Sequence, residues 1–144
     1  DLHSFPTRRS SDLVGAVVVK DGRIIGRGHN LRENAHDPTL HAELIAIREA
    51  AHALNDWRLE NCVLYVTLEP CMMCAGAIYQ SRISTLYFAT RDPKAGVIVS
   101  KETLLTKEWL NHYTIIEEGL FEKTSSRILK RFFSKLRVNN KRVE

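Results

Sequence analysis

The feature that most constrains this chain is a hairpin pattern followed by alternating helix and strand patterns. Val14–Lys20 (VGAVVVK) is a short valine-rich run, and Asp21-Gly22 is a strong two-residue hairpin signal. Arg23–Asn30 (RIIGRGHN) reads as the returning strand. Leu40–Leu54 (LHAELIAIREAAHAL) has good helix formers, no Gly or Pro, and Leu40, Leu44, Ile47 and Ala51 at helical spacing. Thr39, ending Asp37-Pro38-Thr39, is its expected N-cap. Asn61–Leu68 reads as a buried strand ended by Glu69-Pro70, Cys71–Gln80 as a helix, and Thr85–Thr90 as a strand. Arg91–Ser100 reads as a loop, followed by an ambiguous stretch, and His112–Ile116 as a weaker strand. Ile128, Leu129, Phe132, Phe133 and Leu136 share one face, so residues 120–137 read as an amphipathic helix with a basic outer face. This order predicts an α/β sandwich around a mixed sheet.

Length and composition agree with one globular domain: 144 residues, 44% hydrophobic and 26% charged. Disorder is excluded as the default. No apolar run approaches a membrane span, and no stretch has the layout of a secretory signal. There are three cysteines, two of them in a C-x-x-C, which favours a metal or redox site in a reducing compartment over a disulfide framework. The net charge of +4 is uneven. Lys123 to Arg142 holds eight Lys or Arg and no acid, which leaves residues 14–122 at −3. The basic end, with 138–144 as its tail, points to an acidic partner.

Residues 1–13 (DLHSFPTRRSSDL) show neither helical nor strand period. They match the conceptual translation of a common sequencing adapter, and are expected to be a non-native leader before a domain at 14–137. The domain's own start is then expected to be missing.

Two fragments carry chemistry: His41-Ala42-Glu43 and Pro70-Cys71-Met72-Met73-Cys74. Both fall at expected helix starts, where unpaired N–H groups and the macrodipole favour thiolates, so Cys71 and Cys74 should ionise easily. Two thiolates and an imidazole select zinc among available metals, and three protein ligands leave a tetrahedral position for water. Zinc lowers that water's pKa from about 15.7 to roughly 7. Glu43, two residues from His41, is placed to move its proton as a general acid/base. A C-x-x-C is also often a redox pair or half of a structural zinc site. With no second C-x-x-C, a four-cysteine site is impossible, and a thioredoxin-like site leaves His41 and Glu43 without a role.

H-x-E…P-C-x-x-C is the signature of zinc-dependent nucleobase deaminases. With VGAVVV, Asp37-Pro38-Thr39, HAELIAIR (41–48), LYVTLEPCMMCAGAI (64–78), Ser81-Arg82-Ile83, Arg91-Asp92, Asn111-His112 and Phe132-Phe133, the chain resembles the bacterial tRNA-specific adenosine deaminases from Val14 to about Arg137. The resemblance implies a cytidine-deaminase-like, three-layer α/β/α sandwich with a five-stranded mixed sheet, lacking the family's first helix. It implies one zinc per subunit on His41, Cys71 and Cys74, with Glu43 as proton shuttle while adenosine becomes inosine. It implies substrate contacts by Asn30, the Ala42 backbone N–H, Asn111, His112 and Phe133. It also implies a tRNA anticodon stem-loop as partner, a homodimer and a cytoplasmic location. An extruded adenine and a basic tail near phosphates agree with this. Phe132-Phe133 could offer a stacking surface, although core packing is the plainer reading for at least one of them.

The chain departs from the family pattern at Leu40, at Gly96–Ser100 (GVIVS) and at Thr124-Ser125-Ser126. None of these touches a ligand or Glu43. Two rival functions stand beside the leading one: deamination of a free base or nucleotide (guanine, cytosine or cytidylate), and a non-catalytic zinc-holding RNA-binding subunit. Retention of Glu43 speaks against the second. His29, His36 and His52 are expected to be structural or surface residues, and Cys62 an inert thiol in a buried strand.

Overall fold

In a computed structural model, residues 14–30, 36–119 and Ser134 are described. The chain runs β1 (Gly15–Lys20), β2 (Arg23–His29), α1 (Ala42–Leu54), β3 (Val63–Leu68), α2 (Met72–Gln80), β4 (Thr85–Thr90), a single 3-10 turn (Leu104–Thr106) and β5 (Ile115–Glu118). Five strands form one mixed sheet in the order β2-β1-β3-β4-β5. β1 is antiparallel to β2 and β3, whereas β3, β4 and β5 are parallel. The expected leader, Phe133, the 138–144 tail and the 120–137 helix apart from the helical Ser134 lie outside the described residues.

The Asp21-Gly22 turn forms as expected, with φ of 50° and 75°, the left-handed pair that lets a two-residue turn follow strand twist. Side chains alternate across β1. Ala16 and Val18 face α1 and α2 in the main core with Leu64, Val66, Leu86 and Phe88. Val17 and Tyr65 face the other way, packed by Val19, Ile24, Val63 and Tyr87. Both described helices therefore cover one face of the sheet. Among the described residues no helix is long and apolar enough to cross a membrane.

Five sequence expectations shift. Thr39 does not cap α1: its N–H and hydroxyl both donate to Asp37 Oδ1, at 2.8 and 2.7 Å. The helix starts at Ala42, two residues later than expected, and His41 takes the N-cap with extended backbone. The buried face of α1 is Ala42, Glu43, Ala46, Ile47 and Ala50, with Leu44 only partly covered. The reason lies on β2. A Cβ on Gly26 would sit 2.1 Å from Ala46 O, and one on Gly28 would sit 2.2 Å from Ala42 O. The helix backbone lies on bare glycines, faced by Ala42, Ala46 and Ala50 with Ile45 alongside. β3 begins at Val63 because Asn61 adopts φ of 62°, a turn conformation. β5 is displaced towards the C-terminus because the His112 ring and the Thr114 hydroxyl are both tied to Ile83 O, each at 2.9 Å, before pairing begins.

Candidate metal centre and active site

The polarity of the sheet gathers several chain ends at one rim. β2 ends at His29, next to Asn30; β3 ends at Leu68, just before Pro70-Cys71; α1 and α2 both start there. His41 and Cys71 are the N-caps of the two helices, both with extended backbone and no side-chain cap bond. Their side chains are thereby turned towards a common point, and Cys74 joins from the first turn of α2.

His41 Nδ1 lies 3.5 Å from Cys71 Sγ and 3.5 Å from Cys74 Sγ. Tetrahedral zinc, with bonds of about 2.3 Å to sulfur and about 2.0 Å to nitrogen, sets sulfur and nitrogen about 3.6 Å apart. All three donor atoms fall within 4.8 Å of one another, and among the described residues they form the one such group. Donor chemistry and spacing both fit zinc.

The electrostatics divide the cysteines, contrary to the expectation that both ionise easily. A hydrogen bond from the Cys74 thiol, with help from His41, outweighs burial and holds Cys71 down to about 4. Cys74 is pushed up, as the donor in that bond, through its burial and through the charge of Glu43. One thiolate stabilises the other thiol's proton, and the helix dipole cannot ionise both without a cation. Glu43 is 4% exposed on the first turn of α1. Burial pushes it up to about 6, against the pull of its own backbone N–H, with the Cys71 charge adding to the rise. Its carboxyl also meets the Cys74 thiol.

Asn30 and Ala42, both expected at the substrate, do come together: the Ala42 N–H donates to Asn30 Oδ1 at 2.8 Å. Asn111 and His112 are placed at the opposite end of α2. Asn111 Oδ1 accepts from Tyr79 OH at 2.6 Å, and Tyr79 is near the helix C-terminus. His112 Nε2 meets Ile83 O at 2.9 Å, and a carbonyl only accepts, so that nitrogen carries the proton. About one α2 length, roughly 13 Å, separates this pair from the cysteines. Cys62 is buried with a raised pKa, its burial dominating, and takes no part.

Sequence reasoning missed Glu69, which is 3% exposed. Burial would raise its pKa, but the Ser100 hydroxyl and the amides of Val99, Ser100 and Asp92 outweigh that and hold it at about 2.

The comparisons with known proteins extend this geometry. The family model of MafB19-like deaminases matches residues 4–137. The tRNA-specific adenosine deaminase of Bacillus subtilis is 45% identical over 128 residues, covering 89% of this chain and 80% of the relative. That of Aquifex aeolicus is 48% identical over 126 residues, covering 88% and 83%. The chain belongs to the tRNA-specific adenosine deaminase family. A solved structure from work on A-to-I editing by tRNA:A34 deaminases superposes on this deaminase with a TM-score of 0.70 and 43% identity, covering 74% of this chain and 82% of that one. Guanine deaminase from Bacillus subtilis shares the fold more loosely with this deaminase, at a TM-score of 0.55 and 33% identity, covering 83% and 78%.

Proposed function

We propose that the protein hydrolytically deaminates adenosine to inosine at the wobble position of a tRNA anticodon loop. The observation that carries this reading is the trio of His41, Cys71 and Cys74 donors at zinc spacing beside a buried Glu43, in a chain of this family. When bound, one zinc per subunit supplies a nucleophile at neutral pH by acidifying water. Burial favours the protonated form of Glu43 and a neighbouring zinc would favour its carboxylate, so the group can both take up and give back a proton. It takes a proton from the attacking water and delivers it to the amino group at C6. Ammonia leaves, C6 keeps the oxygen, and the carboxylate is regenerated. Asn30 and the α1 start it holds form the wall on which the extruded base is read.

Phosphate attraction by the basic end of the chain favours a polynucleotide over a free base. A homodimer is part of the proposal: Met72, Trp109, Tyr113 and Ile115 are all more than half exposed, and Met72 sits beside the ligand Cys71. A cytoplasmic location fits ligand thiols that must stay reduced.

The test is zinc-loaded protein incubated with an anticodon stem-loop, and separately with guanine, cytosine and cytidylate. Inosine is expected from the RNA alone, and Glu43→Gln is expected to lower the rate by roughly 10²–10⁴-fold with zinc retained. Turnover of free bases with none of RNA would establish the rival that the guanine deaminase likeness raises. A folded, zinc-loaded wild type that binds RNA without forming inosine would make the chain a non-catalytic subunit.

A further inference from the structure

Glu69 directly precedes Pro70-Cys71, and its carboxylate is surrounded by donors from a single segment. Oε1 accepts the Asp92 N–H at 3.0 Å and the Ser100 hydroxyl. Oε2 accepts the N–H groups of Ile98 at 3.0 Å, Val99 at 2.9 Å and Ser100 at 3.0 Å. A buried charge is tolerable only when saturated in this way, and bonds to an ionised acceptor are among the stronger ones. The backbone is tied in parallel. The Glu69 N–H donates to Thr90 O at 2.8 Å, and the Val97 N–H donates to Pro70 O at 3.1 Å. The 92–100 segment thus grips both the side chain of Glu69 and the carbonyl next to Cys71. Gly96 lies against the carboxyl, where a Cβ would stand 2.3 Å from the carboxyl carbon.

We propose that Glu69 is a positioning residue for the metal centre: its carboxylate, clamped by residues 92–100, fixes the Pro70–Cys71 turn and so the direction of the Cys71 sulfur. The inference rests on the metal reading of His41, Cys71 and Cys74. Cys71 is an N-cap without a side-chain cap bond of its own. Its segment is held from the N-terminal side by this clamp and from the C-terminal side by the first α2 bond, Ala75 N–H to Cys71 O at 2.8 Å. Loss of the clamp frees one end of the ligand loop and leaves the helix intact.

Two perturbations reach the clamp from different directions. Glu69→Gln removes the charge and turns one acceptor into a donor. Gly96→Ala, distant in sequence from Cys71, pushes the carboxyl from the loop side. Each variant is loaded with cobalt(II), and its visible ligand-field and thiolate charge-transfer bands are compared with those of the wild type. Transfer of zinc to a chromogenic chelator is timed alongside, with circular dichroism to establish folding. Shifted cobalt bands and zinc release at least about tenfold faster are expected in both. Ser100→Ala, which removes only the hydroxyl, serves if either variant fails to fold, and it should move both readouts in the same direction by less. Wild-type bands and release rates in folded variants, whatever their melting temperatures, would overturn the inference. A wild type that takes up no cobalt would instead overturn the metal reading itself.

Discussion

Gly28→Ala tests whether the seat of α1 on bare β2 backbone sets the active site. The new Cβ meets the backbone at Ala42 O, 2.2 Å, and Ala46 N, 2.9 Å, and the Ile45 Cβ at 2.9 Å. Reaching the 3.4 Å at which ordinary contact begins requires the helix start to retreat by about 1.2 Å. Overpacking of this kind costs about 2 kcal/mol, and in a domain of this size lowers Tm by roughly 5–10 °C. The retreat falls on Ala42, between the ligand His41 and Glu43, and a misplacement of about 1 Å there lowers kcat/KM by about 10²-fold. Gly26→Ala is the control. It clashes equally, at 2.1 Å from Ala46 O, but about one turn further from the site. Both variants should melt earlier to a similar degree, and Gly26→Ala should lose less than about tenfold in kcat/KM. The assay is inosine formation on an anticodon stem-loop, with zinc content and melting temperature recorded for each protein. Equal losses of activity in the two, or an unchanged Gly28→Ala, would refute the link between helix seat and chemistry.

Cys71→Ala and His41→Ala should each abolish stoichiometric zinc and activity together; metal analysis showing full occupancy in either would remove that residue from the ligand set. Zinc added to chelated protein at pH 7 should release at least about one proton, because Cys74 must give up the hydrogen it shares with Cys71 and the zinc also acidifies water. Calorimetry in buffers of different ionisation enthalpy measures this, and release near zero would contradict the division of the thiols. Arg91→Ala should leave stability nearly unchanged despite bonds of 2.9 and 2.6 Å to Glu118, since that pair is solvent-exposed; a clearly lowered urea midpoint would count against surface screening.

The hairpin, the β3–α2–β4 unit and the two motif fragments were legible because each is a local pattern: Asp21-Gly22 for the turn, the apolar run VLYVTL for a buried strand, and Pro70-Cys71 at a helix start. The convergence of His41 on Cys71 and Cys74 was legible only as chemistry, since three soft donors need a common ion. Three features stayed hidden. Thr39 is not the cap of α1 because the helix begins at Ala42, which puts His41 at the N-cap and leaves Thr39 in a local turn with Asp37. The buried face of α1 is set by Gly26 and Gly28, and these read as weak strand residues until the helix is laid on them. Glu69 looked like the end of a strand, and its five donors come from a loop some thirty residues later whose spacing carries no signal. Asn111 and His112 stand at the C-terminal end of α2, a placement set by Tyr79 and Ile83 that the adjacent pair in sequence does not specify.

Because β3 and β4 point the same way, the ligand turn and the 91–100 segment leave the sheet side by side. The reacting centre and its neighbouring wall are therefore written in separate stretches of sequence, and nature or an engineer can re-letter the wall without recasting the centre. The graft has one condition. Any donor segment must bring a bare backbone at position 96 and a hydroxyl at position 100, or residue 69 has to change with it.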